Sequence, residues 1–436
     1  MTTCTVLYSH LPSNSLDANR GDVKSLQDSY CDSKTSSSYG TKLPPEIWLK
    51  IFDSLCYIPG VLELSNGHTI EAFSEDNEGI LLHGLYHESM RAKLAISCVS
   101  WTWRRIVMPL LFEYVMIRSA AHARVVAEAL TRLRRQQGDA DYCGRWIKRV
   151  EIVLQDHFWE EECIDAVADV LSQSPNILVF SDFFSVGRLP TYATRGIVKK
   201  LQYLCENGRL RRIESCGAII PRLHKLLCAT PSLEVLITKQ LTSCPVSLPN
   251  LHTLVIGKMD TIFACELENL RAPNLQNLIM HTGALDPLPS CCATRNNRFF
   301  PNLRHLRCLR INEKFSLFHV ADIPGLTSLT VDFGRKPSFE DLEKYRIKHP
   351  TIERIELIRF PIFNPKPRTS CDIGEQLFVS GFLWSLLKKE DNPSLQTIAF
   401  LRPRSYFDAG DFAKREIKQE RIADYEFWDK IGRAHV

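Results

Sequence analysis

Seven times between residues 231 and 400 the chain repeats one short phrase. PSLEVLIT, PNLHTLVI, PNLQNLIM, PNLRHLRC, PGLTSLTV, PTIERIEL and PSLQTIAF each set a proline two residues before an apolar anchor. The anchors are Leu233, Leu251, Leu275, Leu303, Leu326, Ile352 and Leu395, spaced 18, 24, 28, 23, 26 and 43 residues apart. A second apolar residue follows three positions on, and often a third two beyond it. Leu251, Leu254 and Ile256 show the pattern, as do Leu326, Leu329 and Val331. Each unit is then one strand plus a return segment and cannot cover its own apolar face. Stacked neighbours can cover it, so the chain must build an array. Proline ahead of each strand disfavours a helix running into it.

Most of these spacings fall in or near the 20–29 residues of leucine-rich repeats. The asparagine expected near the turn is missing from most units, and cysteine fills an apolar slot at Cys308. Helix signals persist at Ser338–Lys348 and Glu375–Lys389, which predicts irregular curvature. Between residues 118 and 230, helices and strands alternate. Helices are expected at Ala120–Gln137, Glu161–Ser172 and Thr194–Asn207, with strands at Arg149–Leu154, ILVFSDF and LRRIESC. That order argues for parallel strands joined by helical crossovers. The expected fold is α+β overall: a small all-α unit, then an irregular α/β leucine-rich-repeat-like solenoid over residues 118–404. A helical segment is expected over 405–430.

The small unit occupies residues 43–117. Residues 1–42 are rich in Ser, Thr, Asn and Asp and read as a disordered tail. In LPPEIWLKIFDSL, Ile47, Ile51 and Leu55 fall at four-residue steps with Trp48 and Phe52 beside them, a helical stripe. Pro44 and Pro45 sit where a missing N–H costs least, and Glu46 suits the helix dipole. Residues 57–91 carry six acidic residues and no Lys or Arg before Arg91. They read as an inserted, mostly exposed acidic loop in which Ile80 to Leu85 can dock locally. Helix then resumes, with Leu94, Val99, Trp103 and Ile106 as apolar positions and Pro109 as its end. Val115 and Ile117 read as a short strand.

Composition excludes little but points consistently. The hydrophobic share of 44% is ordinary for a globular protein, and a net charge of +4 makes no case for a nucleic-acid or membrane partner. The 15 cysteines include no CxxC pair and read as free thiols in a reducing compartment. No signal region and no apolar run of spanning length is evident, so a cytoplasmic or nuclear location is expected. Nucleophile-elbow, zincin and phosphate-loop motifs are all missing, which argues against an enzyme. His68, His83 and His87 lie near Glu71, Glu75, Asp76 and Glu88 without ligand spacing, so no metal or cofactor is assigned. Arginines recur at 132–135, at 209–212 and at 304, 307 and 310. They lie on a helix or flank strands, where charge is expected to face water, and no RNA-binding signature accompanies them.

Together the two helical segments resemble the F-box. LPPEIWLKIF matches its leucine–proline start, acidic residue and isoleucine–phenylalanine pair. LAISCVSWTWRRIVMPLLF matches its second half, and PLLFEYVMI resembles the extension found in the large F-box families of mushroom-forming fungi. The resemblance covers about a sixth of the chain. It implies docking to a Skp-type adaptor and, through it, to a cullin scaffold, with an unknown protein substrate held by the repeats. The implied adaptor-binding residues are Leu43, Pro44, Ile47, Ile51, Phe52, Leu94, Val99 and Trp103, some of which must instead hold the unit together. The family joins its first two helices by a short connection, whereas Leu55 and Leu94 are 39 residues apart here. Two other readings stand beside it: a repeat scaffold unconnected with ubiquitin, and RNA or chromatin binding through the arginines. The closing hexapeptide Ile431–Val436, IGRAHV, reads as a read-through of a sequencing adapter.

Overall fold

The repeat phrases all become strands of one sheet. A computed structural model of the chain describes residues 43–64, 80–153, 161–186, 194–219, 223–239, 244–257, 269–281, 301–309, 320, 323–333, 346–358, 381–383, 385–401 and 415–418. Three helices come first: α1 (Pro45–Cys56), α2 (Ile80–Val99) and α3 (Trp101–Glu113). Strand β1 (Tyr114–Ile117) follows α3 directly. Then α4 (Ala120–Asp141), β2 (Arg149–Ile152), α5 (Glu161–Ser172), β3 (Val179–Ser181), α6 (Arg195–Glu206), β4 (Arg212–Ser215) and α7 (Leu223–Cys228) alternate. The repeat phrases supply β5 (Val235–Thr238), β7 (Thr253–Ile256), β9 (Asn277–His281), β10 (His305–Leu309), β11 (Ser328–Asp332), β12 (Arg354–Ile358) and β13 (Thr397–Leu401). Two short strands, β6 (Val246–Ser247) and β8 (Leu270–Arg271), pair with each other, and β14 (Arg415–Lys418) is the last element.

Among the described residues the main sheet has twelve strands, in the open order β1-β2-β3-β4-β5-β7-β9-β10-β11-β12-β13-β14. Every pair from β1 to β13 is parallel and each strand lies beside its predecessor in sequence, apart from the two that form the small sheet. The register puts like residues in rows. One row runs from Val115 through Val150, Phe180, Ile213, Leu236 and Leu254 to Ile398, buried against α4–α7 and the return segments. The seven repeat anchors lie in this same core. Cys308 is fully buried there, and burial pushes its thiol up to about 12.

The residue after each repeat proline has a role the sequence reading did not assign. Asn250 Nδ2 donates to Pro231 O (2.9 Å), Asn274 to Pro249 O (2.7 Å) and Asn302 to Pro273 O (2.9 Å). Hydroxyls do the same where asparagine is absent: Thr351 Oγ1 donates to Pro324 O and Ser394 Oγ to Pro350 O. At Gly325 no side chain is available and the direction reverses, with Arg304 Nη1 donating to Gly325 O (3.1 Å). A side-chain ladder thus ties each strand entry to the preceding one.

Four expectations fail. The helix expected to run on through Ser100 breaks there: Ser100 adopts an extended conformation and its Oγ accepts from Trp103 N (3.1 Å), capping α3. With the cap resetting the helix start, Pro109 falls inside α3 and does not end it. Residues 57–91 are not one exposed loop. Residues 80–91 are the first turns of α2, and Ile58, Gly60, Val61, Leu82 and Ser89 are buried. Counting acidic residues missed this because the acids cluster over 63–78, of which 65–78 lie outside the described residues, while ILLHGLYHESM carries helix-spaced apolar groups. Finally, within 405–430 the described part, Arg415–Lys418, is an antiparallel strand on β13 and not a helix. An open edge strand offers unpaired backbone groups that a further segment can satisfy.

Smaller differences are of boundaries. The expected strand Arg149–Leu154 ends at Ile152, and the first crossover helix runs to Asp141. Of the two late helix signals, residues 381–383 and 385–387 are helical, residues 346–348 are not, and residues 338–345 and 375–380 lie outside the described set. Residues 1–42 and the closing hexapeptide also lie outside it.

Candidate docking surface and its ionic support

On α1 two apolar stripes run side by side, and packing separates them. Trp48, Phe52 and Cys56 point inward. The Phe52 ring lies 5.0 Å from Trp103 and Trp48 lies 4.7 Å from it, with Val107 and Leu110 of α3 completing the cluster. The neighbouring stripe, Ile47, Ile51 and Leu55, faces out; Leu55 is 66% exposed. Four-residue steps keep these three on one side of the helix. Leu43 and Pro44, just before α1, are exposed as well. Ser89 Oγ donates to Cys56 O (2.6 Å), fastening the end of α1 to α2.

The implied adaptor residues therefore divide. Leu43, Pro44, Ile47, Ile51 and Val99 are exposed, Phe52 is buried at 1%, and Leu94 and Trp103 are half-buried. Val99 ends α2 just before the break at Ser100 and is 62% exposed. Trp101 and Tyr57 are exposed large side chains that the sequence reading left out of the set. Trp101 carries the Arg104 guanidinium 5.8 Å from its ring centroid. Among the described residues no helix is long and apolar enough to cross a membrane.

Behind this unit lies a buried charge network. Arg149 reaches Glu214 through two bonds (Nη1–Oε1 and Nη2–Oε2, both 2.8 Å) and donates from Nη2 to Glu151 Oε2 (2.7 Å). Arg212 Nε lies 2.7 Å from Glu214 Oε1. Glu151 also accepts from Tyr114 OH (2.5 Å), and its Oε1 lies 2.8 Å from His83 Nε2 on α2. All four charged side chains are fully buried. The expectation that repeat-flanking arginines face water fails for Arg212 and Arg307; Arg209, Arg211 and Arg304 do face it.

The reason is strand alternation. Arg149 and Glu151, like Arg212 and Glu214, sit two residues apart and point to the same side of the sheet. Adjacent rows then cross-pair the opposite charges. Burial pushes the Glu151 carboxyl upward, but Arg149, His83 and Tyr114 outweigh it and hold it at about 2. Burial and the Glu151 charge push the Tyr114 hydroxyl well up. Burial lowers both guanidiniums, yet the two fare differently. Arg149 sits between two carboxylates and ends well above its ordinary value, whereas for Arg212 burial and the repulsion of Arg149 outweigh Glu214 and Glu63, and it ends below its ordinary value. A usable signal was present in the sequence: RVEI, RIES and RIEL repeat the Arg-x-Glu spacing at three strand positions, and Arg354–Glu356 pairs in the same way (2.9 Å).

His83 is thus engaged with a carboxylate of the sheet, and no group of three or more metal-ligating side chains occurs among the described residues; His68, Glu71, Glu75 and Asp76 lie outside them. No protein-family model matches the chain, and no curated protein matches it in sequence. Among solved structures, a protein from Bacteroides fragilis is similar at 14% identity over 50% of this chain and 61% of that one, with a TM-score of 0.28. This chain spans about three fifths of that protein, and so loose a superposition carries no argument about fold or function.

Proposed function

We propose that the chain is the substrate-receptor subunit of a Skp–cullin–F-box type ubiquitin ligase. The F-box is residues 43–117, and the repeat region is a leucine-rich-repeat-like solenoid that holds the substrate. What supports this most is the outward aliphatic row Ile47, Ile51 and Leu55 on α1, rigidly backed by Trp48, Phe52 and Trp103. Such a row on a small helical unit is surplus to its own core and suits a partner helix or groove. The F-box-like motif of the sequence names the partner as a Skp-type adaptor. No residue need perform chemistry. Docking at one end and capture at the other raise the substrate's effective concentration near a conjugating enzyme.

Co-purification tests the reading. The full chain should retain a Skp-type adaptor, and Ile47→Asp with Ile51→Asp should release it while circular dichroism stays unchanged. Failure of the unaltered chain to retain any such adaptor would remove the proposal.

A further inference from the structure

Over its first strands the sheet packs the crossover helices α4–α7 on one side. Its other side presents Tyr114, Met116, Arg149, Glu151, Arg212 and Glu214, continued by Val235 and Ile237. What covers that side is residues 57–64 with the first turns of α2. The segment is not a strand and joins no ladder. It is a tight turn: Val61 N donates to Ile58 O (3.4 Å), Pro59 stands at the second position, and Gly60 at the third has φ 81°. Proline followed by a left-handed glycine is the type II signature.

The sheet grips this turn by its main chain. Arg212 Nη1 donates to Gly60 O (2.6 Å) and Glu63 O (2.9 Å), and Arg149 Nη1 donates to Val61 O (3.3 Å). Ile58 and Val61 are buried in the cluster that contains Phe183, Phe184, Val235 and Ile237. Guanidinium donors on main-chain carbonyls recognise a backbone shape, and the apolar cluster recognises the side chains. Arg149 is hydrogen-bonded to Glu151 and Glu214, and Arg212 Nε lies 2.7 Å from Glu214 Oε1, so both guanidiniums are fixed beside the turn by carboxylates of the sheet itself.

We propose that this strand face is a peptide-binding surface, filled here in cis by Tyr57–Leu64, and that its partner is a Pro-Gly turn flanked by β-branched aliphatic residues. The covering segment is then a built-in competitor, continuous with the C-terminus of α1, and any peptide that enters must displace it. The inference rests on the contacts of this segment and does not depend on the adaptor reading.

The probe is a fluorophore-labelled synthetic octapeptide of residues 57–64, YIPGVLEL, added to the full chain and followed by anisotropy. Because the site is filled, the unaltered chain should bind weakly. Ile58→Asp with Val61→Asp should empty it and tighten binding by about tenfold or more, since apparent affinity scales with the fraction of open sites. Adding Arg212→Met should reverse that gain. A double variant with intact strand content that does not bind, or binding indifferent to Arg212→Met, would overturn the proposal. Should the double variant not fold, Val61→Ala with hydrogen exchange decides: amides 60–64 should exchange about tenfold faster than β4 and β5. Exchange of those amides only together with the strands would make the segment permanent core and defeat the idea.

Discussion

Adjacent residues on α1 carry opposite consequences. Phe52 is buried against Trp48 and Trp103, so Phe52→Ala should cost about 3–5 kcal/mol in denaturant unfolding. Ile51 lies on the outward stripe. Ile51→Asp should shift stability by no more than about 0.5 kcal/mol while removing partner binding. Measuring both variants by unfolding separates the two roles that sequence pattern merged: a helical stripe shows which residues are apolar, not which of two neighbouring stripes meets the interior. Glu151 gives a pH signature. Its carboxyl titrates at about 2 when folded, against 4.5 ordinarily, so the stabilisation it supplies is complete above about pH 5 and is lost as pH falls through 2. A midpoint-versus-pH series should show that loss, and Glu151→Gln should flatten it. The burial of Arg149 and Arg212 was hard to read from sequence because a buried charge is licensed by a partner on another strand. Only the recurring Arg-x-Glu spacing hinted at it.

Elements were legible where their cause is local. Crossover helices α5 and α6 and the repeat strands follow from apolar period and proline placement, and each lies within a residue or two of its expectation. The break at Ser100 is also local, a serine cap, but it hides inside a continuous helical stripe. Ser100→Ala should cost about 1 kcal/mol, measurable as a lower denaturation midpoint. The turn at residues 57–64 and the start of α2 were missed because what orders them is distant: Arg212 lies 152 residues beyond Gly60. The asparagine ladder was visible as PN dipeptides, yet its acceptor is the proline carbonyl of the preceding repeat. Asn274→Ala removes one rung, which the bond to Pro249 O supplies. A loss of about 1 kcal/mol in thermal or chemical unfolding is expected, with strand content retained.

At the scale of the molecule, one parallel sheet grows in sequence order from β1, and β1 is the direct continuation of α3. The helical unit is therefore not hung on a linker. Its last helix becomes the first strand, His83 of α2 meets Glu151 of β2, and residues 60–63 are held by Arg149 and Arg212. Under the proposed function, that coupling fixes where a captured substrate sits relative to the adaptor. Titration calorimetry of the purified full chain with a Skp-type adaptor tests whether the outward row of α1 docks it. Saturable one-to-one binding is expected, and Ile47→Asp with Ile51→Asp should abolish it without lowering the unfolding midpoint. Absence of heat with the unaltered chain, or binding that survives both substitutions, would contradict it.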